Sequence, residues 1–246
     1  MRVLGVIPAR YGSTRLEGKP LADIMGKPMI QYVYENAAKS SILDELIVAT
    51  DNIRIKEAVE KFGGKAMLTS PSHPTGTDRV AEVAKNFDPQ VVVNIQGDEP
   101  FINPGMINEV VEPLLEDKEI PMGTLMHEIT EKEDFNNPNV VKVVTDKLGF
   151  ALYFSRSLIP YPRKTEKHRV FEHIGIYSFQ KEFLLKFTRL EPTPLEQTES
   201  LEQLRVLESG YRIKVVLTRY KYVALSVDTP EDLERARIFA KSMRKN

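Results

Sequence analysis

Three cations, Arg10, Arg15 and Lys19, lie close together in the segment ARYGSTRLEGK, with glycines and hydroxyl side chains between them. Fixed positive charges beside free N–H and hydroxyl groups are well suited to binding a polyphosphate. A solvated basic loop is the alternative, and it is the usual interpretation of an isolated basic loop. Here the apolar run 3–7 comes directly before the loop and predicts a buried strand. Open α/β sheets bind ligands beyond the carboxyl ends of their strands, so we favour phosphate binding.

An acidic turn, Gly97-Asp98-Glu99-Pro100, follows the strongly apolar segment QVVVNIQ at 90–96. A glycine lets backbone approach a ligand closely, and a carboxylate at a strand end can bind a hard metal ion. The alternative is a simple turn, because Gly-Asp and Glu-Pro are turn formers. The position after a strand favours a functional role for Asp98, with Glu99 as the weaker candidate.

His173, Gly175 and Tyr177 alternate along the segment EHIGIYSF. On a strand, alternate residues point to one face, so these three predict a polar face with room for a ligand. A single strand histidine is more often structural than catalytic. The combination of His, Gly and Tyr favours a binding site.

Apolar segments alternate with amphipathic segments through the first half of the chain. The predicted strands are 3–7, 45–50, 65–69 and 90–96. The predicted helices are 26–39, 53–62, one that starts near residue 79 with Asp78 as its cap, and 103–116. Such alternation is typical of βαβ units. We therefore predict an α/β fold with a Rossmann-like, mostly parallel sheet flanked by helices.

Strands joined by a short turn interrupt this alternation in the second half, where Lys147-Leu148-Gly149 predicts an antiparallel pair. The predicted strands here are 122–127, 140–146, 150–155, 172–179, 212–218 and 220–227. The predicted helices are 195–207 and a final helix with Thr229 as its N-cap and Pro230 at its first position. We predict one domain over 1–246, in which about 122–215 forms a smaller mixed or antiparallel subregion.

Composition excludes several classes of function. The chain has 246 residues, 28% charged and 41% hydrophobic, with a formal net charge of −1 and no cysteine. A near-neutral balance argues against bulk nucleic-acid binding, and the absence of cysteine excludes disulfides, Cys-zinc sites and thiol catalysis. No signal peptide is expected, because residues 1–2 lead directly into an apolar strand, and no transmembrane span is expected, because no apolar run approaches the length of about 20 residues that it needs. We expect a cytoplasmic enzyme with no membrane or nucleic-acid partner.

Five separated motifs resemble one enzyme family: IPARYGSTRLEGKPL, QGDEP, HIGIY, LEQTESLEQLR and VDTPEDLE, in that order. The chain resembles sugar nucleotidyltransferases that activate acidic sugars with CTP, and HIGIY specifically resembles the 3-deoxy-manno-octulosonate (KDO) cytidylyltransferases. The resemblance implies the reaction of CTP with KDO to CMP-KDO and pyrophosphate, for lipopolysaccharide biosynthesis. It also implies Mg²⁺ as cofactor, and a homodimer in which the 122–215 subregion binds sugar and forms a contact. The CTP specificity comes from the resemblance alone.

The resemblance further implies roles for individual residues. The nucleotide-binding residues would be Ala9, Arg10, Ser13, Arg15, Lys19, Arg79, Gln96 and Asp98. The sugar-binding residues would be Arg156, His173, Tyr177, Glu202 and Gln203. Asp98 and Asp228 would bind the metal and, with Lys19 and Arg10, form the catalytic set. Three of these residues also have a structural interpretation. Asp228 lies just before a helix cap and could serve the helix start. Glu202 and Gln203 lie off the predicted apolar stripe and could belong to a solvated helix face.

Two rival interpretations stay open. The first is a cytidylyltransferase for an amino-substituted KDO or a sialic-type acid, because the sequence does not define the sugar pocket. The second is a nucleotide-binding regulator without catalysis, which the presence of both Asp98 and Asp228 disfavours. One departure from the family pattern is Ser226, which stands where the family usually has glycine.

Overall fold

The computed structural model describes residues 1–12, 16–164 and 168–243. The chain divides into two compact units, unit 1 with residues 1–108 and 220–246 and unit 2 with residues 109–219. The predicted 122–215 subregion falls inside unit 2. The interpretation of 1–246 as a single domain stays a prediction.

Unit 1 is built on four parallel strands with helices between them. Its strands are β1 Val3–Ala9, β2 Asp23–Ile24, β3 Lys27–Pro28, β4 Glu45–Thr50, β5 Ala66–Leu68 and β6 Val91–Asn94. Its helices are α1 Met29–Ala37, α2 Ile53–Lys61, α3 Gly76–Ala84 and α8 Pro230–Met243, and α4 Pro104–Glu116 contains the boundary with unit 2. The main strands run in the order β6-β1-β4-β5, all parallel. β1 and β6 are almost wholly buried, which is why they read as continuous apolar runs.

Unit 2 is mixed. Its strands are β7 Met122–Glu128, β8 Lys142–Thr145, β9 Ala151–Ser155, β10 Phe171–Gln180 and β11 Ile213–Leu217. Its helices are α5 Lys181–Phe187, α6 Pro194–Glu199 and α7 Leu204–Glu208. β7 pairs antiparallel with β10 and parallel with β11, and β8 pairs antiparallel with β9. The predicted α/β class, with a mostly parallel sheet and an antiparallel hairpin around residues 147–149, is confirmed.

The start of α3 differs from the prediction. The helix begins at Gly76, not near Arg79, and its N-cap is Thr75 rather than Asp78. Thr75 Oγ1 accepts from the Asp78 backbone N–H, and the Asp78 carboxylate accepts from the Thr75 N–H. Asp78 therefore completes a capping box from the third helical position.

The single helix predicted over 195–207 is wrong, because two short helices, α6 and α7, lie on either side of Ser200. Ser200 adopts the left-handed region, with φ 52 and ψ 50. Arg156 donates from Nε to the Glu199 carbonyl at 2.6 Å and from its guanidinium to the Ser200 carbonyl at 3.3 Å. Contacts with a distant residue thus hold the chain in a break that the helical pattern does not signal.

The strand predicted over 220–227 is also absent, since that stretch has no regular secondary structure. The predicted final helix is confirmed, with Thr229 Oγ1 accepting from the Asp232 N–H at 3.2 Å. In the described parts of the chain, no helix has the length and apolar character needed to cross a membrane.

Candidate active site

Unit 1 contains a cleft of about 410 Å³. Its lining comes from the ends of β1 and β6, the segment before α3 and the residue before the α8 cap. The lining residues are Pro8, Ala9, Arg10, Lys19, Pro20, His73, Pro74, Thr75, Gly76, Arg79, Gln96, Gly97, Asp98 and Asp228. The carboxyl ends of adjacent parallel strands meet at one edge of the sheet, which explains why segments distant in sequence form one cleft.

Lys19 joins the two predicted metal carboxylates. Its Nζ lies 2.9 Å from Asp98 Oδ2 and 3.0 Å from Asp228 Oδ1. Burial of Lys19 opposes its charge, but the two carboxylates outweigh this and hold the pKa of the Lys19 ammonium above its ordinary value. The geometry therefore concentrates one cation and two anions at a single point of the cleft.

Local backbone contacts position this trio. A side chain at Gly97 would place its Cβ 2.5 Å from the Pro8 carbonyl oxygen, so only glycine lets the turn before Asp98 approach the end of β1. The Val227 N–H donates to the Asp98 carbonyl at 2.9 Å, which brings Asp228 beside Asp98. Gly18 (φ 63) makes the left-handed turn that precedes Lys19.

The carboxylate pair is a suitable donor set for a hard divalent ion. Among the described residues, no group of three or more His, Cys, Asp or Glu side chains is arranged to hold a metal. Mg²⁺ is usually held by one or two carboxylates together with substrate phosphates and water, so two converging carboxylates fit this ion.

The cations of the opening loop are only partly described. Arg10 is exposed at the rim of the cleft, while Ser13 and Arg15 lie outside the described residues. The loop is anchored at its base, where the Gly18 N–H donates to the Tyr11 carbonyl at 3.1 Å. Ala9 and Gln96, which are predicted to bind the nucleotide, also line the cleft.

Arg79 lines the cleft but is only 3% exposed. Its guanidinium donates to Asp51 Oδ2 at 3.1 Å, to Thr69 Oγ1 at 2.5 Å and to the Ser70 carbonyl at 3.3 Å. These partners are all protein groups. Sequence reasoning missed Asp51, although the strand-end rule that selects Asp98 applies equally to a carboxylate directly after β4.

His73, Thr75 and Gly76 also line the cleft; they belong to the segment 70–79, which resembles the family's base- and ribose-recognising segment and of which only Arg79 was singled out as a site residue. His73 Nε2 contacts Glu82 Oε2, which also accepts from the Ser70 N–H at 2.9 Å. Burial opposes ionisation of Glu82, but the Ser70 N–H and His73 outweigh it and hold the pKa of the Glu82 carboxyl below its ordinary value. A hydroxyl and a glycine before a helix N-terminus were the available signal, because backbone N–H groups there favour anions.

Three of the predicted sugar-binding residues cluster in unit 2. The His173 and Tyr177 rings lie 5.4 Å apart, and Tyr177 Oη donates to Gln203 Oε1 at 3.3 Å. In a regular strand, residues four apart would be separated by about 13 Å. Here β10 bulges between Ile174 and Tyr177, so the two rings meet because of an irregularity rather than strict alternation.

The hydrogen bonds of this cluster assign its atoms. Thr124 Oγ1 donates to the Ile176 or Ile174 carbonyl, at 2.8 and 3.1 Å, so it accepts from His173 Nε2 at 3.0 Å. The ring is therefore the Nε2–H tautomer with Nδ1 as an acceptor. Burial lowers the pKa of His173 to about 3, so the imidazole is neutral at physiological pH.

Gln203 is 3% exposed, and its Nε2 has no hydrogen-bond partner among the residues that the structure describes. A buried amide N–H without a partner is costly, and it marks a position where an acceptor from a ligand would fit. Glu202 is half-buried beside it. The Arg156 guanidinium donates hydrogen bonds to the Glu199, Ser200 and Pro138 carbonyls. In the structure it therefore stabilises the helix break at Ser200.

A family model described as Cytidylyltransferase matches residues 4–213. The chain is 54% identical to a 3-deoxy-manno-octulosonate cytidylyltransferase of Geotalea uraniireducens (strain Rf4), over 96% of this chain and 97% of that protein. It is 52% identical to the protein of that name in Fusobacterium nucleatum subsp. nucleatum, over 96% and 95% of the two chains.

A solved structure of CMP:2-keto-3-deoxy-manno-octonic acid synthetase complexed with CTP matches with a TM-score of 0.95 at 43% identity. The match covers 99% of this chain and 100% of that one. Sequence and fold similarity therefore extend over nearly the whole chain.

Proposed function

The chain belongs to the 3-deoxy-manno-octulosonate cytidylyltransferase family, and from this premise we propose that it transfers CMP from CTP to KDO, releasing pyrophosphate. The bond that forms joins the anomeric oxygen of KDO to the α-phosphorus of CTP. The bond that breaks joins that phosphorus to the oxygen bridging to the β-phosphate. The hydroxyl proton is lost to solvent, and the CMP-sugar would serve lipopolysaccharide biosynthesis.

The cations of unit 1 would bind the triphosphate. Arg10 lies at the rim of the cleft and Lys19 lies inside it, and both are expected to contact phosphate oxygens. Positive charge fixed beside the departing pyrophosphate stabilises the negative charge that develops there. Ser13 and Arg15 are proposed to act with them. Ala9 and Gln96 would contact the nucleoside or the sugar.

Asp98 and Asp228 would hold Mg²⁺ through the carboxylates that now face Lys19. When bound, a divalent ion at this position polarises phosphoryl oxygens and favours the ionised form of an attacking hydroxyl. Lys19 remains next to both carboxylates and is the cation available to the phosphates. The two aspartates thus organise charge for the transfer without forming a covalent intermediate.

His173, Tyr177 and Gln203 support the proposed sugar site. Nδ1 of the neutral His173 can accept from a sugar hydroxyl, and Gln203 Nε2 can donate to a hydroxyl or carboxylate oxygen. Glu202 is proposed to accept from a hydroxyl. Arg156 would act by shaping the break that carries Glu202 and Gln203 rather than through a free guanidinium.

The observation that carries this proposal is the meeting of Lys19 with Asp98 and Asp228 in a cleft at the strand ends. The test is pyrophosphate release by the purified protein with Mg²⁺, each of the four nucleoside triphosphates, and a panel of KDO, 8-amino-KDO and a sialic acid. We expect release with CTP and KDO. Preference for another sugar would support the rival cytidylyltransferase, and no release with any pair would support the inactive regulator.

A homodimer is the second part of the proposal. In unit 2, Leu148, Leu152 and Leu217 are exposed, and the first two flank Phe150, which bridges to Lys214 on β11. Leu152 and Leu217 lie on strands and Leu148 lies in the turn before β9, and exposed leucines such as these are candidates for burial against another protein surface. Light scattering on the purified protein is expected to give twice the 28.0 kDa chain mass.

A further inference from the structure

A buried ion pair, Asp51 with Arg79, joins two segments that line the cleft of unit 1. Arg79 Nη2 lies 3.1 Å from Asp51 Oδ2, and the two side chains are 4% and 17% exposed. Asp51 is the first residue after β4 and Arg79 is on α3. Neither side chain needs a ligand to satisfy its charge.

The first segment is the phosphate wall, defined here as the described residues 10–12 and 16–19, which include Arg10 and Lys19. Tyr11 is its anchor, because the Tyr11 N–H donates to Asp51 Oδ1 at 3.1 Å. Arg54 Nη1 donates to Tyr11 Oη at 2.7 Å, and the far end of the loop returns to the Tyr11 carbonyl through Gly18. The base of the loop is therefore held by the carboxylate that pairs with Arg79.

The second segment is the nucleoside wall, defined here as residues 73–76. Arg79 donates to Thr69 Oγ1 and to the Ser70 carbonyl, in the stretch of chain just before this segment. Ser70 is held from its other side, because its N–H donates to Glu82, the carboxylate that also contacts His73. Arg79 thus fixes the stretch of chain that leads into the nucleoside wall.

We propose that Asp51 and Arg79 are positioning residues that couple the phosphate wall to the nucleoside wall. Each oxygen of Asp51 serves one wall: Oδ1 accepts from Tyr11, and Oδ2 accepts from Arg79. Loss of the pair therefore loosens both walls, even though neither side chain contacts the phosphates. This inference rests on the proposed function, in that it takes a nucleoside triphosphate as the ligand.

The alternative is that Arg79 binds the nucleotide directly, as the family resemblance suggests. The two roles differ in which part of CTP they affect. A direct ligand in the nucleoside wall strengthens binding of the nucleoside and leaves inorganic tripolyphosphate unaffected. A positioning residue that holds both walls affects tripolyphosphate as well.

The experiment is calorimetric titration of wild type, Asp51→Asn and Arg79→Lys with CTP, cytidine and tripolyphosphate. Asparagine at 51 can still accept from Tyr11 but cannot neutralise Arg79, so it isolates the link between the walls. We expect tripolyphosphate affinity to fall about tenfold or more in both variants, together with CTP affinity. Unchanged tripolyphosphate affinity would overturn the proposal, as would failure of the wild type to bind tripolyphosphate.

Arg205→Lys is the matched control, because Arg205 and Glu196 form a similarly buried pair, 9% and 12% exposed, in unit 2. It is expected to lower the unfolding temperature without weakening tripolyphosphate binding, and an equal loss of binding there would contradict coupling through Asp51. If Arg79→Lys does not fold, the tripolyphosphate affinity of the near-isosteric Asp51→Asn decides the test. Pyrophosphate release by the wild type tests the proposed function separately, so the two failures are distinguishable.

Discussion

Lys19 shows how much of this chemistry depends on single atoms. Its ammonium lies within 3.0 Å of two carboxylates that come from opposite ends of unit 1 in sequence. Without such a cation, the two carboxylates would repel each other. The same two carboxylates are available to a divalent ion. We therefore expect activity to depend on the charge of each aspartate more than on its volume.

Asp98→Asn and Asp228→Asn remove that charge with little change in shape. Each is expected to reduce turnover by about 100-fold or more while changing CTP affinity much less, because the lost interaction acts on charge that develops during transfer. Pyrophosphate release and CTP titration measure the two effects. Asp23→Asn is the control, since Asp23 is exposed and its carboxylate accepts from the nearby Gly26 N–H. Equal losses of turnover and CTP affinity would contradict the metal role.

Gln203→Leu tests the proposed sugar site at the residue scale. The substitution removes the buried Nε2 that lacks a partner, so it is expected to raise the KM for KDO about tenfold and to leave CTP affinity unchanged. Steady-state kinetics with each substrate varied in turn measures the effect. Gln197→Leu on α6 is the matched control, because Gln197 is exposed. An unchanged KM for KDO would remove Gln203 from the site.

At the scale of elements, short irregular segments position the functional side chains. The break between α6 and α7 places Glu202 and Gln203 in a turn, and the bulge in β10 brings His173 to Tyr177. The capping boxes of α3 and α8 begin those helices next to the cleft residues Gly76 and Asp228. The regular helices and strands form the scaffold, and the breaks, bulges and caps in them set the positions of the functional side chains.

Ser200 is the residue whose backbone makes the helix break possible. Its left-handed conformation costs a side-chain-bearing residue about 1–2 kcal/mol, and glycine adopts it freely. Ser200→Gly is expected to leave the unfolding temperature unchanged or raise it, whereas the β-branched Ser200→Val is expected to lower stability by about 1–2 kcal/mol. Thermal unfolding of both variants checks this, and a valine variant as stable as wild type would rule out the strain argument.

At the scale of the whole molecule, stability against acid is decided by groups in both units. The carboxyls of Asp44, Glu82 and Asp232 in unit 1 and of Asp146 in unit 2 have pKa values below their ordinary range, because backbone N–H groups and cations stabilise their ionised forms against any cost of burial. Their contribution is present above the unfolded-state pKa and is lost as pH falls through the folded-state pKa. Buried His173 adds a loss of stability that begins at a higher pH than the loss from these carboxyls.

His173 has a folded-state pKa of about 3, well below the ordinary value of 6.5, so the unfolded chain binds its proton first as pH falls. Its contribution to the free energy of unfolding is complete above pH 6.5 and declines from there towards pH 3. At pH 5 the free energy of unfolding has fallen by about 2 kcal/mol from this cause. Urea unfolding at pH 7.5 and pH 5 is expected to show this loss in wild type and a smaller one in His173→Phe. The same loss in both proteins would mean that His173 is not the titrating group.

Local patterns in the sequence determined the α/β class and most element positions, because burial periodicity, turn residues and caps act over a few residues. They also determined that Arg10, Lys19, Gln96 and Asp98 follow buried strands, where α/β sheets bind ligands. The N-cap of the final helix, with Thr229 as the cap and Pro230 at the first helical position, was predictable for the same reason. Each of these features depends on neighbours in sequence.

Only the tertiary structure decided which distant groups meet. The Val227 N–H on the Asp98 carbonyl brings Asp228 to Lys19, and Asp51 pairs with the guanidinium of Arg79. Arg156 holds the backbone at Ser200 where the periodicity predicted a continuous helix. These outcomes depend on long-range hydrogen bonds and ion pairs, whose energies outweigh local preference and leave no pattern in the sequence.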